Sequence, residues 1–251
     1  MEPADLDLLI DFHIPAERQG PGSDAETRRA LDTLGIGTQP GMEIADIGCG
    51  TGAQTLVLAA HTGGRVTAVD LFPAFLEELQ TRARRAGLSD QIATLACDME
   101  ALPFGDAHFD LVWSEGAIYN MGFAHGLRAW RRLLKPGGAL AVSEITWLTD
   151  SRPPELEAYW TANYAEIDTI AHKTLVLVQA GYESIGHFVL PRHCWTEHYY
   201  RPMRERFAAF LDKHDHTPQA RTLVEAEQQE IDLYEKYGDA YGYVFYLARR
   251  T

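Results

Sequence analysis

The sequence predicts an α/β fold: a mostly parallel seven-stranded sheet, helices on both faces, and a helical cap inserted before the last strand. Three observations predict it. Short apolar strand-like runs alternate with helical stretches between residues 43 and 147, a rhythm that implies parallel strands joined by right-handed crossovers. A glycine-rich turn joins the first strand to its helix. Two helical stretches, together too long for a hairpin loop, separate the last two strand-like runs. The chain reads as a single domain of 251 residues, with an N-terminal helical lid over 1–40, a ligand-binding core over 41–150 and a cap over 193–240.

The elements follow in order. Ser23-Asp24-Ala25-Glu26 is a capping box that opens a helix through about Leu34, and Gly35 and Gly37 end it. Strands are expected over 43–47, 65–71, 92–96, 109–114 and 139–147, with helices over 53–61, 73–86 and 123–134. Gly87 closes the second of these helices, and Lys135-Pro136-Gly137-Gly138 makes a turn before the fifth strand. After Trp147 the rhythm changes. A long helix is expected over 155–180 with a break near His172, then a strand over 184–190 and helices over 197–213 and 218–237. Thr217 caps the last helix, with Pro218 in its first turn and Gly238 after its end. A final strand is expected over 243–249.

Composition narrows the function. The formal net charge is -14, and the densest basic groups (Arg82, Arg84 and Arg85; Arg131, Arg132 and Lys135) fall at helix C-termini, where cations suit the macrodipole. Nucleic acid is therefore not an expected partner. No apolar run approaches the roughly 18 residues of a membrane span. The acidic start, MEPADLDLLIDF, has no basic signal-peptide region. With three scattered cysteines, Cys49, Cys97 and Cys194, it suggests a reducing, cytoplasmic setting. The cap helices offer a surface for a homodimer.

Asp46-Ile47-Gly48-Cys49-Gly50-Thr51-Gly52 places the glycine turn between the first strand and a helix. Glycine is needed where the backbone bends sharply and a ligand comes close, and the helix N-terminus offers free N–H groups. Asp70, ending the second strand just before Leu71, stands where a carboxylate can accept both hydroxyls of a ribose. These features predict a nucleoside-containing cofactor. Gly48, Gly50 and Ala53 also satisfy a dinucleotide fingerprint. Asp46 argues against it, because its charge would repel a pyrophosphate in a poorly screened cleft and would favour a cofactor carrying positive charge.

In these residues the chain resembles the class I S-adenosylmethionine-dependent methyltransferases, particularly the small-molecule branch with ubiquinone/menaquinone-type and glycine/sarcosine-type enzymes. Asp46–Gly52 is similar to their D-x-G-x-G-x-G motif, and Asp70 to their acidic residue after the second strand. Asp98-Met99-Glu100-Ala101-Leu102-Pro103-Phe104 resembles D-x-x-x-L-P-F, Phe109–Val112 resembles F-D-x-V, and Leu134–Gly138 resembles the L-K-P-G-G turn. The resemblance covers roughly residues 43–147. It implies a Rossmann-like fold and S-adenosyl-L-methionine held by Asp46, Gly48, Gly50, Asp70, Leu71, Asp98, Met99, Ser114 and Glu115. Asp98 would take the adenine amino group and Met99 would cover the ring. Asp98 also suits a plain turn or cap.

Methyl transfer from a sulfonium chiefly needs alignment and exclusion of water. A small-molecule N or O nucleophile is the expected acceptor, and Tyr119, in the loop after the fourth strand, is the first candidate to orient it. Glu144 and His193 stand behind Tyr119 as catalytic candidates. Gln19 precedes the first capped helix and is expected either at the cofactor's amino-acid end or in a helix-leading turn. No metal is expected, since His193, Cys194 and His198 match no strong zinc spacing. A non-catalytic S-adenosylmethionine-binding protein and an NAD(P)-dependent oxidoreductase are the competing readings.

Overall fold

The computed structural model describes residues 3–251; Met1 and Glu2, part of the acidic start, lie outside the described residues. One sheet contains β1 (Glu43–Ile47), β2 (Arg65–Asp70), β3 (Ile92–Ala96), β4 (Phe109–Glu115), β5 (Leu134–Trp147), β6 (Asp168–Thr169), β7 (Tyr182–Val189) and β8 (Tyr241–Arg250). The order is β3-β2-β1-β4-β5-β8-β7, with β6 paired to the end of β5. All pairings are parallel except those of β8, which runs against both β5 and β7. The strand order reverses between β1 and β4, and ligands of open α/β sheets bind beyond the carboxyl ends of the strands at such a point.

Alternate residues of the central strands feed two separate cores, as the period of two requires. Ile44, Leu111, Trp113 and Ala141 pack into one, while Ala45, Val112, Leu140 and Val142 pack into the other. The first core is closed by α2 (Asp24–Thr33), α3 (Ala53–Thr62) and the C-terminal helices; the second by α5 (Phe123–Arg131) and α7 (Ile170–Gln179). α1 (Pro3–His13) lies against α10 (Pro218–Tyr237), and α4 (Pro73–Ala86) against β2 and β3.

Four expectations need correcting. The sheet has eight strands among the described residues, because the two-residue β6 pairs with Thr146 and Trp147. That pairing also splits the helix expected over 155–180 into α6 (Pro154–Asn163) and α7. Thr169 starts α7 afresh by accepting the His172 N–H at 3.3 Å. The cap begins as α8 (Arg192–Trp195) and passes through a π-helical turn, Thr196–Tyr200, into α9 (Arg201–Lys213). β5 also starts earlier than expected, at Leu134.

Candidate active site

The glycine turn is built by backbone geometry. Gly48, Gly50 and Gly52 have φ of +74°, +55° and +87°, a region that costs other L-residues about 1–2 kcal/mol each. Gly48 and Cys49 donate to the Val69 carbonyl at 2.8 and 2.9 Å. A Cβ on Gly48 would sit 2.3 Å from the Ala117 Cβ, and one on Gly50 would sit 2.3 Å from Gln19 Oε1. The turn is therefore clamped between the loop after β4 and the N-terminal segment.

A cavity of about 530 Å³ opens over this turn, at the carboxyl ends of β1, β2 and β4. Gly48, Gly50, Asp70, Leu71, Asp98 and Met99 reach it from one side, and Gln19, Glu115 and Tyr119 from the other. Asp70 Oδ2 accepts the Gly50 N–H at 2.8 Å, and Oδ1 accepts that of Phe72 at 3.0 Å. Burial lifts the Asp70 carboxyl above its ordinary range, and these backbone donors pull it back. Asp98 accepts the Glu100 N–H at 2.9 Å in a turn of its own while still facing the cavity. Gln19 Oε1 accepts the Thr51 N–H at 2.9 Å. It thus fastens the N-terminal segment to the glycine turn and walls the cavity at the same time.

Four expected site residues stand elsewhere. Asp46 is fully buried behind the turn, accepting from Thr55 Oγ1 at 2.5 Å and from Gln54 Nε2 at 3.4 Å. Burial, reinforced by the nearby Glu115 and Asp70, pushes its carboxyl up to about 7, against the Thr55 hydrogen bond. Asp46 therefore shapes the turn and does not line the cavity, and the acidic wall belongs to Asp70, Asp98 and Glu115. Ser114 is sealed inside the sheet, in register with Val142. Glu144 is buried on β5 in an ion pair with Lys173 Nζ at 3.0 Å. Burial raises its carboxyl and Lys173 opposes the rise; the hydroxyl of Tyr164, 3.4 Å from Nζ, screens the pair from the open space. His193 sits edge-on to His198, with ring centroids 5.5 Å apart, because α8 turns Cys194 and Trp195 inward instead. No group of three or more His, Cys, Asp or Glu among the described residues is arranged to hold a metal ion.

Two residues were missed. Arg18 lines the cavity and pairs with Glu115 Oε2 at 3.0 Å and with Asp24 at 2.9 Å. Glu115 Oε1 accepts from Thr27 at 2.7 Å and from Trp113 Nε1 at 3.0 Å. No local motif announces Arg18, whose partner is 97 positions away. Glu230, on α10, is the other. It lines a second chamber of about 210 Å³ that shares Gln19, Gly20, Pro21, Gly116 and Tyr119 with the first. The rings of Tyr119, Tyr159, Tyr164, Tyr199 and Tyr243 and the indoles of Trp160 and Trp195 form most of its wall. Burial, with Glu227 one turn earlier on the helix, raises the Glu230 carboxyl to about 7, and Tyr200 Oη donates to it at 2.9 Å.

Residues 45–142 match the family model described as "Methyltransferase domain". Over those residues the chain is similar to a methyltransferase domain. A sterol 24-C-methyltransferase of Gibberella zeae is 30% identical over 162 residues, covering 61% of this chain and 42% of that protein. A ubiquinone/menaquinone biosynthesis C-methyltransferase of Shewanella baltica is 34% identical over 113 residues, covering 44% of this chain and 45% of that protein. The matched part of the chain thus spans less than half the length of either relative. Among solved structures, a SAM-dependent methyltransferase from Thiobacillus denitrificans in complex with S-adenosyl-L-homocysteine superposes with a TM-score of 0.84. It is 17% identical, and the match covers 99% of both chains. The methyltransferase domain contains the glycine turn, Asp70, Asp98 and Glu115. Tyr159, Trp160, Tyr164, Tyr199, Glu230 and Tyr243 reach the second chamber from outside it.

Proposed function

We propose that the chain transfers a methyl group from S-adenosylmethionine to an N or O atom of a small molecule. The observation that carries this reading is the junction of the two cavities. The space over the glycine turn and the aromatic chamber share a wall at Gly20, Gly116 and Tyr119, so a donor in one would face an acceptor in the other. The first cavity suits the cofactor in size, within the ~300–1,000 Å³ of small-molecule sites. It also suits it in charge, since Asp70, Asp98 and Glu115 line it and only Arg18 opposes them.

In this reading Asp70 accepts the ribose hydroxyls, Asp98 the adenine amino group, and Met99 covers the ring. Gln19 and Arg18 close the amino-acid end. When bound, the cofactor supplies a sulfonium methyl, whose S–C bond breaks as the acceptor's lone pair bonds to carbon and the sulfur leaves as a neutral thioether. The chain's residues then do three things. The aromatic wall excludes water, Tyr119 orients the acceptor, and the Glu230 carboxylate, poised near neutrality, takes the proton that an N–H or O–H acceptor sheds. The names of the two curated relatives specify carbon acceptors for those proteins; the N or O reading for this chain rests on the polar groups of its own chamber, Glu230, Asn163 and Tyr119.

The test is incubation with methyl-deuterated S-adenosylmethionine and a panel of amines, phenols and carboxylic acids, followed by mass spectrometry. An N- or O-methylated product bearing the labelled methyl, with matching S-adenosylhomocysteine, is expected. Methylation at carbon would overturn the acceptor assignment, and cofactor binding without any product would favour a non-catalytic binding protein.

A further inference from the structure

We infer that the aromatic chamber takes a small organic cation, an amine held as its ammonium until Glu230 accepts its proton or a quaternary ammonium whose acceptor atom is a hydroxyl oxygen, with Glu230 as its counter-charge. The inference rests on the methyl-transfer reading above and names the substrate class of the same site. Aromatic faces attract cations through their ring quadrupoles, most strongly where water is excluded. The chamber presents such faces at several angles. Tyr119 and Tyr164 meet edge-to-face with centroids 6.0 Å apart, Tyr159 and Trp160 at 5.3 Å and 89°, and Trp195 and Tyr243 at 5.1 Å and 43°.

Charge points the same way. Among the described residues Glu230 is the only carboxylate lining the chamber, and no Lys, Arg or His lines it. The buried cation Lys173 is already paired with Glu144 behind Tyr164, and Arg18, in the adjoining cavity, is paired with Glu115 and Asp24. An anion would therefore meet one negative charge and no compensating positive one. A cation would neutralise Glu230, whose burial beside Glu227 otherwise disfavours its ionised form.

Choline and its uncharged isostere 3,3-dimethylbutan-1-ol, which share shape and hydroxyl, isolate the charge. Both are titrated at pH 8, followed by tryptophan fluorescence, into full-length protein saturated with S-adenosylhomocysteine. The expected result is at least tenfold tighter binding of choline. Glu230→Gln is expected to abolish most of that preference while leaving S-adenosylhomocysteine affinity within error of the parent. Equal affinities, binding of neither ligand, or a preference that survives Glu230→Gln would overturn the cation assignment alone. Failure of S-adenosylhomocysteine itself to bind would instead overturn the methyl-transfer reading.

Discussion

The two halves of the site are built differently. The cavity over the glycine turn draws most of its lining from short stretches that follow β1, β2, β3 and β4 (residues 48–54, 69–75, 97–100 and 115–121). Each is the natural end of a strand. The aromatic chamber gathers residues 19–21, 116, 119, 145, 159, 160, 163, 164, 195, 199, 230 and 243, which only the finished fold brings together. The first half is thus a property of local chain geometry, whereas the second depends on how the N-terminal segment, α6 and the cap dock on the sheet. One turn can be kept while the other half is rebuilt for a different acceptor.

The comparison breaks most visibly at the buried ion pair beneath the chamber. Lys173→Met would leave Glu144 uncompensated at the centre of β5, and unfolding in urea is expected to show a loss of about 3–5 kcal/mol. S-adenosylhomocysteine affinity, measured well below the melting temperature, should change less than threefold if the halves are separable. Gly48→Ala tests the other half. Its positive φ and the contact with Ala117 predict a loss of about 2–4 kcal/mol, here accompanied by loss of S-adenosylhomocysteine binding in calorimetry. Asp70→Asn keeps the fold but removes a charged acceptor, and binding of the same ligand should weaken about 10- to 100-fold.

A smaller effect separates Asp46 from the cavity. Its folded-state value near 7 lies above the ordinary 3.8, so folding favours the protonated form. Its contribution to stability is full below about pH 4 and is lost as pH rises toward 7. Asp46→Asn should flatten that decline by up to roughly 1.4 kcal/mol per pH unit, read from denaturation midpoints between pH 5 and 7. Ligand affinity should barely move, whereas a drop like that of Asp70→Asn would return Asp46 to the cofactor wall.

The same division explains what the sequence could reveal. Strand ends, the glycine turn, Asp70, Asp98 and Glu115 were readable because each stands at the end of a strand whose apolar run is local in the sequence, although Glu115 is held by Arg18 and Thr27 from far along the chain. Asp46 was readable as a motif residue but not as a buried one, since its partners Thr55 and Gln54 lie on the next helix. Glu144 and Ser114 share strands with exposed or cavity-facing residues, and sequence alone did not tell which way each side chain pointed. Arg18 and Glu230 had no local signature; they acquire a role through contacts across the whole chain. The break expected near His172 falls a few residues earlier, at β6, for a similar reason, because two residues pair with a strand end more than 20 positions earlier.

Calorimetric titration of the purified protein with S-adenosylhomocysteine and, separately, with NADH bears most directly on the account. A saturable, one-site heat with S-adenosylhomocysteine and none with NADH is predicted, because the wall formed by Asp70, Asp98 and Glu115 accepts a phosphate-free nucleoside and repels an anionic pyrophosphate. Tight uptake of NADH with no heat from S-adenosylhomocysteine would contradict it.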